Sequence, residues 1–533
     1  MATPMLLPNS LLQRAIRCVV AFSGRWSGAR FPRSHSVPPA PHAYPSCLKG
    51  EIMNRRDFIT RTGVGWMAAL GAVSLRGAMG VTGESATAPD SSTPVPAAGP
   101  LRVHPKNPRY FTDGSGKAVY LTGSHTWPNL VDIGAGDPPA RFDFDAYLKF
   151  LLRYGHNFIR LWTWEPVTWN TKGNGQRRVH RAAPQPFART GPGEALDGKP
   201  KFDLTRYDPV YFDRLRTRVQ AAGRAGIYVS VMLFEGWAMQ FSEGAWQGHP
   251  FHPANNVQGL DGDVNRDGNG LDIYTLASPA VTRFQEAYVR KVVDTVNDLD
   301  NVLYEISNEN HPPSTRWQYH LIDFIHHYER SKPKQHPVGM TFQYKGGSNR
   351  ALFESPADWI SPNPEGGYRD DPPAADGTKV ILNDTDHLWG IGGNAAWVWK
   401  SFLRGMNPLF MDPYDGEVLS PGGARWDPVR RALGYTLRVA RMVNLAAMTP
   451  QNRLATTGYC LASRGPKAEY LVYLPTGGEV TVDLTGTPGP LETRWLNPAD
   501  GTWQTAPPTS GGGRTGFQPP FGKEAVLWLA AKA

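Results

Sequence analysis

A short apolar run, a polar and aromatic cluster at its end and then a helical pattern follow one another repeatedly from Leu101 onward. Apolar runs fall at 117–121, 157–161, 227–234, 301–307, 336–342, 359–361, 379–383 and 408–411. Helical patterns occupy 142–154, 209–225, 280–298, 315–330, 394–404 and 428–443. Parallel strands need crossover connections, and a helix on the outer face is the usual one. The alternation therefore predicts an α/β fold, a (β/α)8 TIM barrel over residues 101–448. In such a barrel the functional side chains gather at the C-terminal ends of the strands, where the loops converge on one mouth.

The stretch 301–311, NVLYEISNENH, is the sharpest of these units. Val302, Tyr304 and Ile306 alternate with Leu303, Glu305 and Ser307 as in a buried strand, and Asn308-Glu309 stands at its tip. A carboxyl group beside an amide donor in that place makes Glu309 a candidate catalytic acid. The same residues also suit a cap for the helix that follows.

After residue 449 the pattern changes. Short alternating runs at 469–474, 479–484, 491–496 and 524–529, separated by Gly, Pro and Thr turns, predict a small all-β sandwich over 449–533. Before residue 101 the chain is basic. The whole sequence carries +9, but residues 1–100 account for +6 of it, so the charge has no nucleic-acid meaning. Arg55-Arg56 precedes a Gly/Ala-rich apolar run from Gly63 to Leu75, too short to span a bilayer. This resembles a twin-arginine export signal. The resemblance implies a leader at 1–80, a Pro/Ser/Ala linker at 81–100, passage through the twin-arginine export machinery and a periplasmic or secreted mature chain without a membrane span. Cys18 and Cys47 fall in the leader, so Cys460 is left alone, with no internal disulfide and no cysteine metal site.

The barrel resembles the clan of retaining glycoside hydrolases that includes the family 5 cellulases, in particular bacterial relatives ending in a collagen-binding-type β-domain. The resemblance rests on Asn157-Phe158-Ile159-Arg160 in the second strand, Asn308-Glu309 after the fourth, a carboxylate after the seventh, and the tail segments 470–475 and 494–498. It implies hydrolysis of an O-glycosidic bond in a poly- or oligosaccharide, with Glu309 as acid/base and Asn308 on the sugar 2-hydroxyl or the nucleophile. Two carboxyl groups must flank such a bond, one protonated and one ionised. No organic cofactor and no catalytic metal is required. Two other readings stay open: a non-catalytic glycan- or matrix-binding surface protein, and a metal-dependent hydrolase built on Asp384, Asp386 and His387 with Asp412 or His311.

The seventh strand departs from the clan, which ends it in Glu. Here Val380, Leu382 and Asp384 share one face, with Asp386 in line if the strand continues. The shorter side chain widens the carboxyl separation from about 5.5 Å toward the range of about 6.5 to 9.5 Å that accompanies inversion. Asp384 is the first choice as nucleophile and Asp386 the second; the alternative is an aspartate pair capping a turn and holding His387. Arg160 is either a buried ion-pair partner or the group that orients the nucleophile. His125, Trp127, Trp164, Glu165, Glu235, Trp237, His311, Tyr344 and Asp412 occupy the other predicted tips. Aromatic faces stack on sugar C–H faces and polar tips hold hydroxyls, so the set fits a carbohydrate cleft, although each residue alone also fits packing.

The loop 261–272, DGDVNRDGNGLD, contains the first half of a calcium-loop pattern. Tyr274 stands where the pattern's bidentate acid belongs, and Asp261 or Asp272 is the substitute. A structural calcium ion at Asp263, Asn265 and Asp267 is one expectation; a plain turn, or a cover over the substrate, is the other.

Overall fold

The computed structural model describes residues 95–531 apart from 174, 175, 415, 417 and 419–421, with only the backbone described at 171–173 and 176–178. The twin-arginine motif and most of the linker lie outside the described residues.

Eight parallel strands form the barrel: Gly123–His125, Phe158–Leu161, Tyr228–Glu235, Val302–Asn308, Val338–Thr341, Trp359–Ser361, Val380–Asp384 and Asn407–Met411. Hydrogen-bonded ladders run in sequence from the second strand to the eighth, and the eighth pairs with the first. The first and second strands share no ladder. Asn157 stitches that seam instead: its main-chain N–H donates to the Thr122 carbonyl at 3.0 Å. Its side chain accepts from the Thr122 N–H at 2.9 Å and donates to the Tyr120 carbonyl at 2.8 Å. The backbones approach so closely that a Cβ on Gly123 would lie 2.2 Å from the Phe158 carbonyl oxygen. Gly123→Ala is therefore expected to force the seam apart and cost at least about 2 kcal/mol, read as a lower midpoint in thermal denaturation.

Alternation decides what points inward. Phe158, Tyr228, Leu303, Trp359, Val380, Leu382 and Leu409 pack together inside the barrel. One step further along the same faces come Arg160, Glu305, Ser361 and Asp384, all buried polar groups. The outer helices are amphipathic and capped. Pro279–Val296, for example, starts at Ser278, whose hydroxyl accepts from the Val281 N–H, carries proline in its first turn, and buries Val281, Tyr288, Val289, Val292, Val293 and Val296.

Three expectations need correction. The first strand is Gly123–His125, not 117–121, because its interior is filled by buried Thr122, Ser124 and His125 rather than by an apolar run. Between the second strand and Pro209–Arg224 the chain inserts four strands, Thr168–Gly173, Gln176–Ala183, Phe187–Glu194 and Pro200–Tyr207, paired as two hairpins. Their charged and Gly/Pro-rich sequences give no apolar alternation to read. The long segment after the third strand also holds two short helices, Trp237–Phe241 and Leu271–Tyr274.

The C-terminal region is antiparallel, a six-stranded sheet with a two-stranded one, Val480–Asp483 and Arg514–Phe517. Cys460–Ala462, Trp503–Ser510 and Arg514–Phe517 are strands in addition to those expected. The strand Glu469–Leu474 divides its faces: Tyr470, Val472 and Leu474 enter the region's own core, while Leu471 and Tyr473 join the core of the barrel. Tyr473 stacks on Trp399 of the helix Ala395–Leu403 at 6.2 Å between ring centres. One face of the β-region thus packs on the barrel wall. Among the described residues no helix is long and apolar enough to cross a membrane.

Candidate active site

Arg160 is the hub of the barrel mouth. Its guanidinium is 1% exposed and binds Glu305 through both oxygens, at 2.9 and 2.6 Å. It also donates to Asp384 at 3.1 Å, to Asp386 at 2.8 Å and to the Asn308 amide oxygen at 2.5 Å. A planar fork with five donors suits such multiple recognition. Glu305 is the partner that sequence reasoning missed. Its signal was its parity with Leu303 in an otherwise apolar strand.

The strand tips then place two more carboxyl groups. Asp384 ends the seventh strand and caps the turn Thr385–Trp389 by accepting from the Asp386 N–H at 3.0 Å. His125 Nε2 meets both its oxygens, at 3.0 and 2.8 Å. Trp162 Nε1 donates to His125 Nδ1 at 2.9 Å, so the ring proton sits on Nε2 and points at Asp384. Burial pushes Asp384 upward, but the His125 and Arg160 contacts outweigh it and hold its carboxyl well below the ordinary range. Asp386 lies two residues on, 6% exposed, with Oδ2 on Arg160 and no hydrogen bond to a described residue at Oδ1. Its carboxyl is raised, first by burial and, with Arg160 opposing, by the charge on Asp384.

Glu309 follows the fourth strand in a left-handed conformation, φ 42°, which costs a non-glycine residue about 1–2 kcal/mol. Its neighbours enforce that turn. Gln240 donates to the Glu309 carbonyl at 2.7 Å, Asn310 Nδ2 reaches back to Ser307 Oγ at 2.9 Å, and the Gly236 N–H donates to the Asn308 carbonyl at 3.0 Å. Glu309 is 6% exposed, and its carboxyl makes no hydrogen bond to a described residue. Burial raises it well above the ordinary carboxylate value, and the charges of Asp386, Glu235 and Asp384 add to that while Arg160 opposes.

His387 links the parts. It accepts from Ser361 Oγ at Nδ1, 2.6 Å, and donates from Nε2 to the Asn308 amide oxygen at 3.2 Å. Burial and then Arg160 hold it well below its usual value, so the ring is neutral. Both donors on Asn308 reach its oxygen. Its Nδ2 has no partner among the described residues.

The remaining predicted tips separate by role. Trp127 sits among Trp162, Trp164, Trp169 and Trp237, with ring centres 5.1 to 6.0 Å away. Trp127, Trp237 and Tyr344 are half-buried, whereas Trp164 is 1% exposed and backs the cluster. Glu165 accepts from the Glu235 N–H at 2.9 Å and the Tyr274 hydroxyl at 2.8 Å, and meets His249 at 3.2 Å. The Glu235 carboxyl accepts from the Trp237 and Ala238 N–H groups at 2.8 and 2.9 Å. Burial outweighs those contacts and lifts it to about 8. His311 is half-buried and held by Asn310 at 2.8 Å. Asp412 is committed to Arg430, at 2.7 and 2.5 Å. Among the described residues no three His, Cys, Asp or Glu side chains form a metal cluster, and Asp384 and Asp386 already share a guanidinium. A cavity of about 620 Å³ lies elsewhere, between the inserted hairpins and the loop after the third strand, and none of Glu309, Asp384 or Asp386 lines it.

Fold and mouth together define a (β/α)8 barrel with buried carboxyl groups at the C-terminal ends of its strands, and comparison with known proteins agrees on the fold. Residues 182–345 match a family described as "Domain of unknown function (DUF6298)", and residues 447–529 match "Putative collagen-binding domain of a collagenase". A comparison with curated proteins returned no match. Among solved structures, a family 5 glycoside hydrolase from Bacteroides vulgatus ATCC 8482 is similar at TM-score 0.55 and 15% identity, over 81% of this chain and 93% of its own. A second structure, named only as a glycoside hydrolase, is similar at TM-score 0.52 and 14% identity, over 81% of this chain and 97% of its own. At these identities the likeness is one of fold.

Proposed function

We propose that the chain is an exported glycoside hydrolase that cleaves an O-glycosidic bond with retention, Glu309 acting as acid/base and Asp386 as nucleophile. One observation carries the reading. Glu305, Asp384 and Asp386 share a single guanidinium in a buried mouth, and buried Glu309 lies within charge range of Arg160, Asp386 and Asp384. Such a set cannot hold four negative charges, so protons remain on part of it. The proton resides most firmly on Glu309, which no donor stabilises as an anion. It is then the acid that protonates the leaving oxygen.

Asp386 is preferred over Asp384 as nucleophile. Asp384 has its oxygens occupied by His125, Arg160 and a main-chain N–H, and is fully buried. Asp386 keeps Oδ1 free and is the largest charged contributor to Glu309. In the first step Asp386 Oδ1 bonds to the anomeric carbon while the glycosidic C–O bond breaks and the Glu309 proton moves to the departing oxygen. Water then attacks the anomeric carbon, giving its proton to Glu309 as the bond to Asp386 breaks. Asn308 Nδ2 is a donor for the sugar 2-hydroxyl, and Trp127 and Trp237 are platforms for its C–H faces.

The first test is release of reducing ends from a panel of polysaccharides and aryl glycosides by the wild type against Glu309→Gln. Hydrolysis that Glu309→Gln loses supports the reading; a panel left untouched, or equal rates, overturns it. A pH profile separates the aspartates. Activity falls toward acid as Asp386 takes up a proton and toward alkali as Glu309 loses one. Asp384→Asn removes a charge that raises Asp386, so its acid limb should move to lower pH, with about a tenfold loss of kcat from the loosened His125 contact. An acid limb in place would assign it to another group.

A further inference from the structure

We propose that the loop 261–272 binds one calcium ion. Asp263 is 9% exposed, yet its Oδ1 is buried without a hydrogen-bond partner. The other oxygen accepts from the Gly268 N–H at 2.8 Å, so the carboxyl group reaches across the loop. A buried carboxylate oxygen facing no donor calls for a cation.

The surroundings supply ligands of one kind. The Asp267 carboxyl lies within interaction range of Asp263 and touches Asn265 Nδ2 at 3.2 Å. Asp261 and Asp272 accept from the main-chain N–H groups of Asp263 and Asn265, at 3.0 and 2.7 Å. Four aspartates face one cation in this loop, exposed Arg266. No three carboxylates or histidines converge there, so a bound ion would draw on a mixed set: the Asp263 and Asp267 carboxylates, main-chain carbonyls and the Asn265 amide oxygen, which accepts from the Asp267 N–H at 2.9 Å. Oxygen donors in a pliant loop suit calcium, while zinc and copper favour nitrogen or sulfur and magnesium needs near-octahedral rigidity.

The loop also leads to the barrel mouth. Gly270, at φ 64°, lies flat against Trp246, whose ring would meet a Cβ at 2.2 Å. Leu271–Tyr274 follows, and the Tyr274 hydroxyl donates to Glu165 and to the Glu235 carbonyl, both at 2.8 Å. An ion here would brace the third-strand tip.

The test is calorimetric titration of the chelator-stripped full chain with calcium chloride, together with terbium luminescence excited through Trp246. One ion per chain and a thermal midpoint several degrees higher in calcium than in chelator are expected, with affinity at least tenfold weaker in Asp263→Asn and Asp267→Asn and unchanged in Glu309→Gln. No heat, no terbium signal and no midpoint shift in the wild type overturn the proposal, as does full affinity in both aspartate variants.

Discussion

Glu309→Gln should lower kcat/KM on unactivated glycosides by about 10²–10⁴-fold, about 3–5.5 kcal/mol of transition-state stabilisation, and should raise the thermal midpoint at neutral pH. The first effect follows from removing the proton that, in the proposed mechanism, Glu309 gives to the leaving oxygen. It should shrink on substrates with a dinitrophenyl leaving group, which departs without protonation. The second follows from the same burial. The Glu309 pKa in the folded state is above the value of about 4.3 in the unfolded chain. The folded state therefore holds a proton that the unfolded state gives up, and stability falls as pH rises from the unfolded value toward the folded one. That loss is at most about 1.4 kcal/mol per pH unit. Glutamine carries no charge and escapes it, so the gain in midpoint should be absent near pH 4 and grow with pH. Denaturation scans at several pH values measure it directly. A midpoint gain independent of pH would place the benefit in packing and remove the electrostatic account of Glu309.

Asp386→Ala should be the more damaging change, lowering kcat by about 10⁴-fold or more, because no covalent intermediate then forms. Added azide discriminates its role from that of Glu309. In Asp386→Ala the azide occupies the vacated face of the sugar and yields a glycosyl azide of inverted configuration. In Glu309→Ala it intercepts the glycosyl-enzyme and yields the retained one. Rescue of Asp384→Ala with inversion would assign the nucleophile to Asp384 instead. Folding of each variant is checked by the same thermal scans, since Asp384 and Asp386 share Arg160 and its loss of either partner leaves charge uncompensated.

Much of this site was legible because barrel strands follow a period of two. Leu382 and Asp384 were placed inward by parity alone, Arg160 by its place at a strand end, and Asn308-Glu309 by its position beyond an alternating strand. What parity cannot carry is the turn after the seventh strand. Alternation assumes extended backbone, but the chain enters the short helix Thr385–Trp389 at once, so Asp386 reaches the mouth by helical rotation and Asp384 becomes its cap. Ser361 and Trp162 escaped notice for a different reason. They act through His387 and His125, and a partner's partner has no mark in the sequence. The first strand was misplaced because a barrel strand beneath a polar site is itself polar: Thr122, Ser124 and His125 are buried by their contacts, not by their hydrophobicity. Of the tip tryptophans read as a cleft lining, Trp127 and Trp237 are half-buried while Trp164 is fully buried behind them, next to Trp169.

The most direct measurement is to trap the wild-type enzyme with 2-deoxy-2-fluoro glycosides or cyclitol epoxides spanning several sugar configurations, and to map the labelled carboxylate by peptide mass spectrometry. A single glycosyl ester on Asp386 is expected, with turnover of the natural bond giving the retained anomer by NMR. A label on Asp384 or Glu309, or clean inversion at the anomeric carbon, would overturn the proposed mechanism.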